Sequence, residues 1–349
     1  MLSPVSLFDR SGWEALRREL RLDPTIVRRL RTDLLKHSLP DEAVLATFPA
    51  ADRVRLHALQ LYRRVDSEID GASKLLFQTA AGMLIEAVIL RVASGRTALC
   101  VSSQVGCAAA CDFCATGKMG IARNLTADEI LDQVLQANQL LVAEGRVVRN
   151  IVFMGMGEPF HNIDSLFTAL ELLAAPEFFH HSPTKTLVST VGVIEGMLRC
   201  AREFPKVHQA LSLHSVRTEV RERIIPLARL NPLDRLREAI VEVNHLTGAA
   251  VMIEYLLLSG VNDSIADAEE LVQWLKGLEV HVNLIPYNSI EESPHLVSSD
   301  RATRESFAAH VKAAGIPTTL RYSLGQDIAA ACGQLVRHEN RQRAIDPLR

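Results

Sequence analysis

The chain is 349 residues long, 48% hydrophobic and 23% charged, with a formal net charge of −3. That length fits one large or two ordinary domains, and the near-neutral charge excludes nucleic-acid binding by bulk electrostatics over the whole surface. No apolar run of about 18 residues is free of charge, so no membrane span is predicted; the first twenty residues carry acids early and have no apolar core, so no export is expected.

Charge is uneven along the chain. Residues 1–64 hold twelve Lys/Arg against eight Asp/Glu, a net +4, which leaves −7 for the rest. Residues 11–64 read as short helices. Ser11 with Glu14 forms a capping-box pattern, Asp23-Pro24 opens a second helix, and Pro40 before Asp41-Glu42 opens a third. A small basic helical domain over 1–70 suits phosphate contacts, and a solvated helix face is the plainer alternative. Residues 71–96 read as one or two strands linking it to the body. Glu86 stands inside their apolar run, where an unpaired buried carboxylate is costly; it is either functional or on the solvent face of an edge strand.

From residue 97 the pattern becomes strand, loop, helix, repeated. Strands are predicted at Thr97–Ser103, Asn150–Met154, Thr186–Thr190, Gln209–Leu213, Val251–Leu258, Val280–Pro286 and Thr318–Tyr322. Helices are predicted over 126–144, 162–174, 193–203, 232–246, 263–277 and 301–314, with Thr126/Glu129 as a capping box and Asp300 as a cap. This alternation predicts an α/β fold with a parallel sheet: a partial (β/α)6-type barrel over 97–335, its chemistry at the C-terminal strand ends. The polar tail over 336–349 is expected to fray.

Four of the six cysteines cluster within Cys100–Cys114, which points to metal or catalytic use in a reducing compartment rather than a disulfide scaffold. Cys107, Cys111 and Cys114 have a C-x3-C-x2-C spacing in one loop after the first barrel strand. Three thiolates suit an iron–sulfur cluster or zinc, and a set that stops at three leaves one metal position for an exchangeable ligand. Phe113 can shield such a centre. Cys100 is either a fourth metal ligand or a partner thiol for Cys332, which lies in a small-residue loop after the last strand. Cys200 reads as a buried small hydrophobe.

Polar groups recur at the later strand ends. Gly155-Met156-Gly157-Glu158-Pro159 is a turn that exposes peptide groups and a carboxylate. Ser189, Ser212-Leu213-His214 and Asn288 follow on successive strands, where they can bind a ribose, a carboxylate and an adenine. Each alone is also a plausible cap or satisfied core polar group.

Taken together, CVSSQVGCAAACDFCATGKMG, RNLTADEI, FMGMGEP, STVGV, LSLHS, IEYLLLSGVND, HVNLIPYN and DIAAACGQL resemble the RlmN/Cfr family of radical S-adenosylmethionine (SAM) adenosine C-methyltransferases. The resemblance runs from about Glu86 to Leu335. It implies that Cys107, Cys111 and Cys114 ligate a [4Fe–4S] cluster. SAM would be bound by Gly157, Glu158, Ser189, Ser212, Leu213, His214 and Asn288. Cys332 would be methylated by one SAM. A second SAM, cleaved reductively, would give a radical that takes hydrogen from that methyl, and the carbon would add to an RNA adenine. Cys100 would then attack sulfur, forming a disulfide with Cys332 and releasing product, with Glu86 as base.

The implied target is adenosine 2503 of 23S rRNA, at C2 or C8, with a tRNA anticodon-loop adenosine as an alternative. CATGKMG, STVGVI and LSLHS look closer to the Cfr side. An electron-donor protein is the implied partner, for a cytoplasmic monomer with no membrane contact. Because C2 and C8 are not nucleophilic, a radical route is chemically apt, and the carrier thiol asks for an electropositive pocket. Two rivals remain at this point: a redox or sensor iron–sulfur protein closed by Cys100, and an RNA-binding protein with a structural zinc.

Overall fold

The computed structural model describes residues 4–92 and 94–335; the predicted polar tail lies outside the described residues. Three helices open the chain, Arg10–Glu19, Pro24–Leu35 and Asp41–Leu45. Asp23 caps the second, with Pro24 at its first position, as its sequence requires. The first helix starts one residue before Ser11: the Asp9 carboxylate accepts the Gly12 N–H, so Asp9, not Ser11, is the cap. Trp13, Leu16, Leu30, Leu34 and Phe48 bury their faces together and join the barrel in one continuous core.

The main sheet has ten strands: β1 Leu59–Asp66, β2 Ala72–Thr79, β3 Leu84–Arg91, β4 Thr97–Cys100, β5 Asn150–Phe153, β6 Thr186–Thr190, β7 His208–Ser212, β8 Val251–Leu257, β9 Val280–Pro286 and β10 Thr318–Leu320. They lie side by side in chain order. β1 to β4 pair antiparallel, and β4 to β10 pair parallel. Each parallel step crosses over through a helix: Ala127–Val142, Ile163–Ala174, Ile194–Glu203, Leu233–Thr247, Ile265–Leu275 and Arg301–Ala313. Six crossovers between seven strands make a partial (β/α)6-type barrel whose order runs open from β1 to β10.

The helical reading extends too far. The last α-helix of this segment ends at Leu45, only a 3-10 turn at Ala51–Arg53 follows, and Leu59–Asp66 is a strand with a bulge between Leu61 and Arg63. Its charged, mostly exposed side chains blunt a sheet edge, and its apolar alternation, Leu59, Leu61 and Val65, is interrupted by Arg63 at the bulge. The 71–96 segment forms the antiparallel wing of the same sheet.

Candidate active site

The cysteine loop is held from several sides. β4 ends at Cys100, and the chain turns into a ribbon, Gln104–Cys107 paired with Gly120–Asn124. Cys107 ends the first of these strands, and Cys111, Cys114 and the short helix Ala115–Lys118 lie between the two. Asp112 braces the loop: its carboxylate pairs with Lys118 and His295, and its N–H donates to the Ile224 carbonyl at 2.8 Å. Gly117 has no room for a side chain, since a Cβ there would lie 2.9 Å from the Cys111 nitrogen.

All three thiols line one cavity of about 140 Å3 at the C-terminal ends of the barrel strands. The same cavity is lined by Gly157, Glu158, Ser189, Ser212 and His214. Leu213 and Asn288 are not part of that wall. Leu213 is a core side chain that is fully buried. Asn288 donates to the Cys332 carbonyl at 3.2 Å and accepts from Gln326 at 2.8 Å, so it steadies the Cys332 loop.

Burial pushes the Cys107 thiol up to about 12, drives Cys111 well above the ordinary thiol range, and raises Cys114. Without a cation among them the three are neutral thiols; a cationic metal centre is what takes such a set as thiolates. Among the described residues, no three His, Cys, Asp or Glu side chains are gathered so as to hold a single metal ion.

The Gly157-Glu158 turn is pinned by Gln104, whose side-chain oxygen accepts the Glu158 N–H at 2.8 Å. Gly157 has φ +106°, and a Cβ on it would lie 2.7 Å from Gln104 Cβ. The Glu158 carboxylate is 2% exposed and accepts the N–H groups of Val191 (2.9 Å) and Phe160 (3.1 Å). Burial outweighs these bonds and pushes it up to about 7.

His214 is held neutral: burial and the Arg221 charge push it down to about 3. Its Nδ1 accepts the Leu256 N–H at 3.0 Å. The proton therefore sits on Nε2, which leaves that edge a donor. Phe113 packs edge-on against this ring at 4.8 Å.

Sequence reasoning missed Glu254. Its Oε2 accepts from Ser189 at 2.8 Å and from Ser212 at 3.3 Å, while its Oε1 has no partner, and it too lines the cavity. Glu254 stands in an apolar strand, the same signal that drew attention to Glu86.

A second cavity, about 210 Å3, adjoins the first. Cys100, Val88 and Arg321 line it, and Cys332 lines both cavities. Cys100 is thus across the second cavity from the trio, not among it. All six cysteines are free thiols, so the implied Cys100–Cys332 disulfide is not formed here. Arg321, also missed, contributes a cation that bears on both thiols and on Glu254. Glu86 is 1% exposed and shares its strand face with Val88, which pairs with Cys100. Lys74 Nζ lies 3.5 Å from the Glu86 carboxylate and donates to the Ala329 carbonyl at 3.3 Å, tying Glu86 to the Cys332 loop. Cys200 is buried on its helix, away from both cavities.

The chain is similar over most of its length to known proteins. The Radical SAM superfamily profile matches residues 101–275. A "probable RNA methyltransferase" of Rhodopirellula baltica is 60% identical over 345 residues, covering 99% of this chain and 91% of its own. A "probable dual-specificity RNA methyltransferase RlmN" of Thermus thermophilus is 42% identical over 294 residues, covering 84% and 82%. The crystal structure of a radical SAM methyltransferase from Sphaerobacter thermophilus superposes with a TM-score of 0.90 at 38% identity, over 95% of this chain and 99% of that one.

The chain belongs to the RlmN/Cfr family of radical SAM RNA methyltransferases. Membership implies an iron–sulfur cluster and SAM. The residues present fit both: soft thiol donors line the first cavity, two buried and one half-buried, and a carboxylate with an unpartnered oxygen, two hydroxyls and an imidazole share its wall. Among the described residues no helix is long and apolar enough to cross a membrane.

Proposed function

We propose that this enzyme methylates a ring carbon, C2 or C8, of adenosine 2503 in 23S rRNA, with Cys332 as methyl carrier and two SAM molecules consumed per turnover. The observation that carries this reading is the position of Cys332. It lines both the cavity of the three cysteines and the cavity of Cys100. A carrier must accept a methyl beside bound SAM and then present it to a base, and a thiol at such a junction serves both needs.

Cys107, Cys111 and Cys114 would hold a [4Fe–4S] cluster, and Gly157, Glu158, Ser189, Ser212 and His214 would bind SAM, with Leu213 packed behind them in the core and Asn288 steadying the Cys332 loop. When bound, cluster and SAM supply the one-electron cleavage that starts radical chemistry. The chain's own residues shield and orient. Phe113 and His214 close one side, Glu86 with Lys74 serves the proton transfer near Cys332, and Cys100 is the second thiol in product release. Arg321 supplies the electropositive surroundings that the carrier thiol needs.

The basic N-terminal segment over 1–70, with its three helices and an edge strand, would help hold the RNA, whose target base must be splayed out to reach the barrel mouth. Both cavities are lined within one chain, which supports action as a monomer; an RNA substrate would place the enzyme in the cytoplasm, and reductive cleavage of SAM would call for a separate electron-donor protein. The "dual-specificity" name of the Thermus relative favours a second RNA substrate, for which a tRNA anticodon-loop adenosine is the candidate. A redox or sensor role closed by Cys100 is the weaker reading, because Cys100 faces the other cavity. Mass spectrometry of rRNA from cells with and without the gene tests the target: methylated adenosine should disappear with the gene, and unchanged rRNA would count against it.

A further inference from the structure

Arg221 is 1% exposed, and no fully buried side chain among the described residues is larger. It sits on the helix Thr218–Ile224 and reaches under the ends of β6 and β7. Nη1 donates to the carbonyls of Ser212 (2.9 Å) and Leu213, and Nη2 donates to the carbonyl of Val191 at 2.7 Å. Nε has no partner. Among the described residues no carboxylate pairs with it. Three neutral carbonyls therefore hold a full positive charge in the interior.

An uncompensated buried charge is costly, and natural interiors retain one where an opposite charge answers it. The neighbour on hand is the cysteine loop. Ile224 and Ile225 of the same segment pack with Cys107 and Cys111. The Asp112 N–H donates to the Ile224 carbonyl at 2.8 Å, which fixes the loop to the Arg221 helix. The Arg221 charge bears on the Cys111 thiol, and Cys111 on Arg221 in return. Three thiolates around a dicationic iron–sulfur core leave one net negative charge; taking up one electron makes it two. A fixed cation next to that charge favours the reduced form, since net charge and local fields set such potentials.

We infer that Arg221, held by the Val191, Ser212 and Leu213 carbonyls against the Cys111 loop, is a positioning residue that makes one-electron reduction of the cluster easier. This rests on the cluster reading above. The electron comes from an external low-potential one-electron donor, and no bond in the protein breaks.

The test is a dithionite titration of the full-length, anaerobically reconstituted protein, followed by electron paramagnetic resonance. Wild type is compared with Arg221→Met, Arg221→Gln and Arg221→Lys. At a potential where wild type is half reduced, the oxidised-to-reduced ratio of Arg221→Met should rise at least tenfold, a midpoint lower by about 59 mV for one electron. Arg221→Lys should recover most of the shift. If the Met variant does not load iron, Gln supplies the neutral arm under the same criterion. Loss of the cluster in both neutral variants with retention in Lys also supports the inference. A neutral variant that loads fully and titrates with wild type overturns it; so does equal behaviour of Lys and the neutral variants, whether equally shifted or equally unable to load, because packing rather than charge would then be at work. A wild-type protein that takes up no iron and sulfide would instead sink the cluster reading itself.

Discussion

Removing His57 should loosen the N-terminal helices from the barrel in a pH-dependent way. His57 Nδ1 contacts Asp132 and Nε2 contacts Asp41, each at 2.7 Å. Asp132, on the helix Ala127–Val142, is fully buried and also accepts the N–H groups of Ala58 and Leu59 at 2.8 Å. Burial alone would push the imidazole down, but the two carboxylates outweigh it and raise His57 to about 10. A raised histidine stabilises the fold fully below its unfolded value of about 6.5, and the contribution fades as pH climbs toward 10. Each pH unit in that window is worth at most about 1.4 kcal/mol. The His57 side chain is 24% exposed and that of Asp41 34%, so solvent screens part of this. We expect roughly 2–3 kcal/mol in total. Urea unfolding of wild type and His57→Gln at pH 6, 8 and 10 measures it. Wild type should be the more stable at pH 6 and converge on the variant by pH 10; parallel curves would refute the charged clamp.

Further consequences concern the site. Gly157→Ala places a Cβ 2.7 Å from Gln104 at φ +106°, so it should cost roughly 2–4 kcal/mol and weaken SAM binding by calorimetry; unchanged affinity would free the turn from cofactor binding. Cys100→Ala should trap a covalent protein–RNA adduct, visible as a shifted band on a denaturing gel, whereas free methylated RNA at full yield would deny Cys100 a role in release. Cys200→Ser buries a hydroxyl in a site closed to water and should lower stability by about 1–3 kcal/mol while leaving the iron content unchanged. Iron loss from that variant would mean the cysteine is not a plain core residue.

The barrel was legible because its elements obey local rules. The strands Thr186–Thr190 and Val280–Pro286 have the predicted ends, and the Thr126/Glu129 capping box and the Asp300 cap are both formed. The edge strand Leu59–Asp66 was not legible, since its exposed arginines look like a helix surface. Among site residues, the cysteine spacing and the glycine turn stand out in any chain. Gln104, Arg221 and Arg321 do not: a buried arginine reads like a solvated one until its carbonyl partners, Val191 and Leu213, are brought to it by strands far apart in sequence. Glu254 was within reach, as an acid flanked by Ile253 and Tyr255 on a buried strand.

Incubating the reconstituted enzyme with methyl-labelled SAM and a 23S rRNA fragment, then digesting the RNA to nucleosides, reads the transfer itself. Label should appear on an adenine ring carbon with wild type and vanish with Cys332→Ala. RNA without label, or label at wild-type yield from the Cys332→Ala protein, would contradict a thiol-borne methyl group as the link between SAM and RNA.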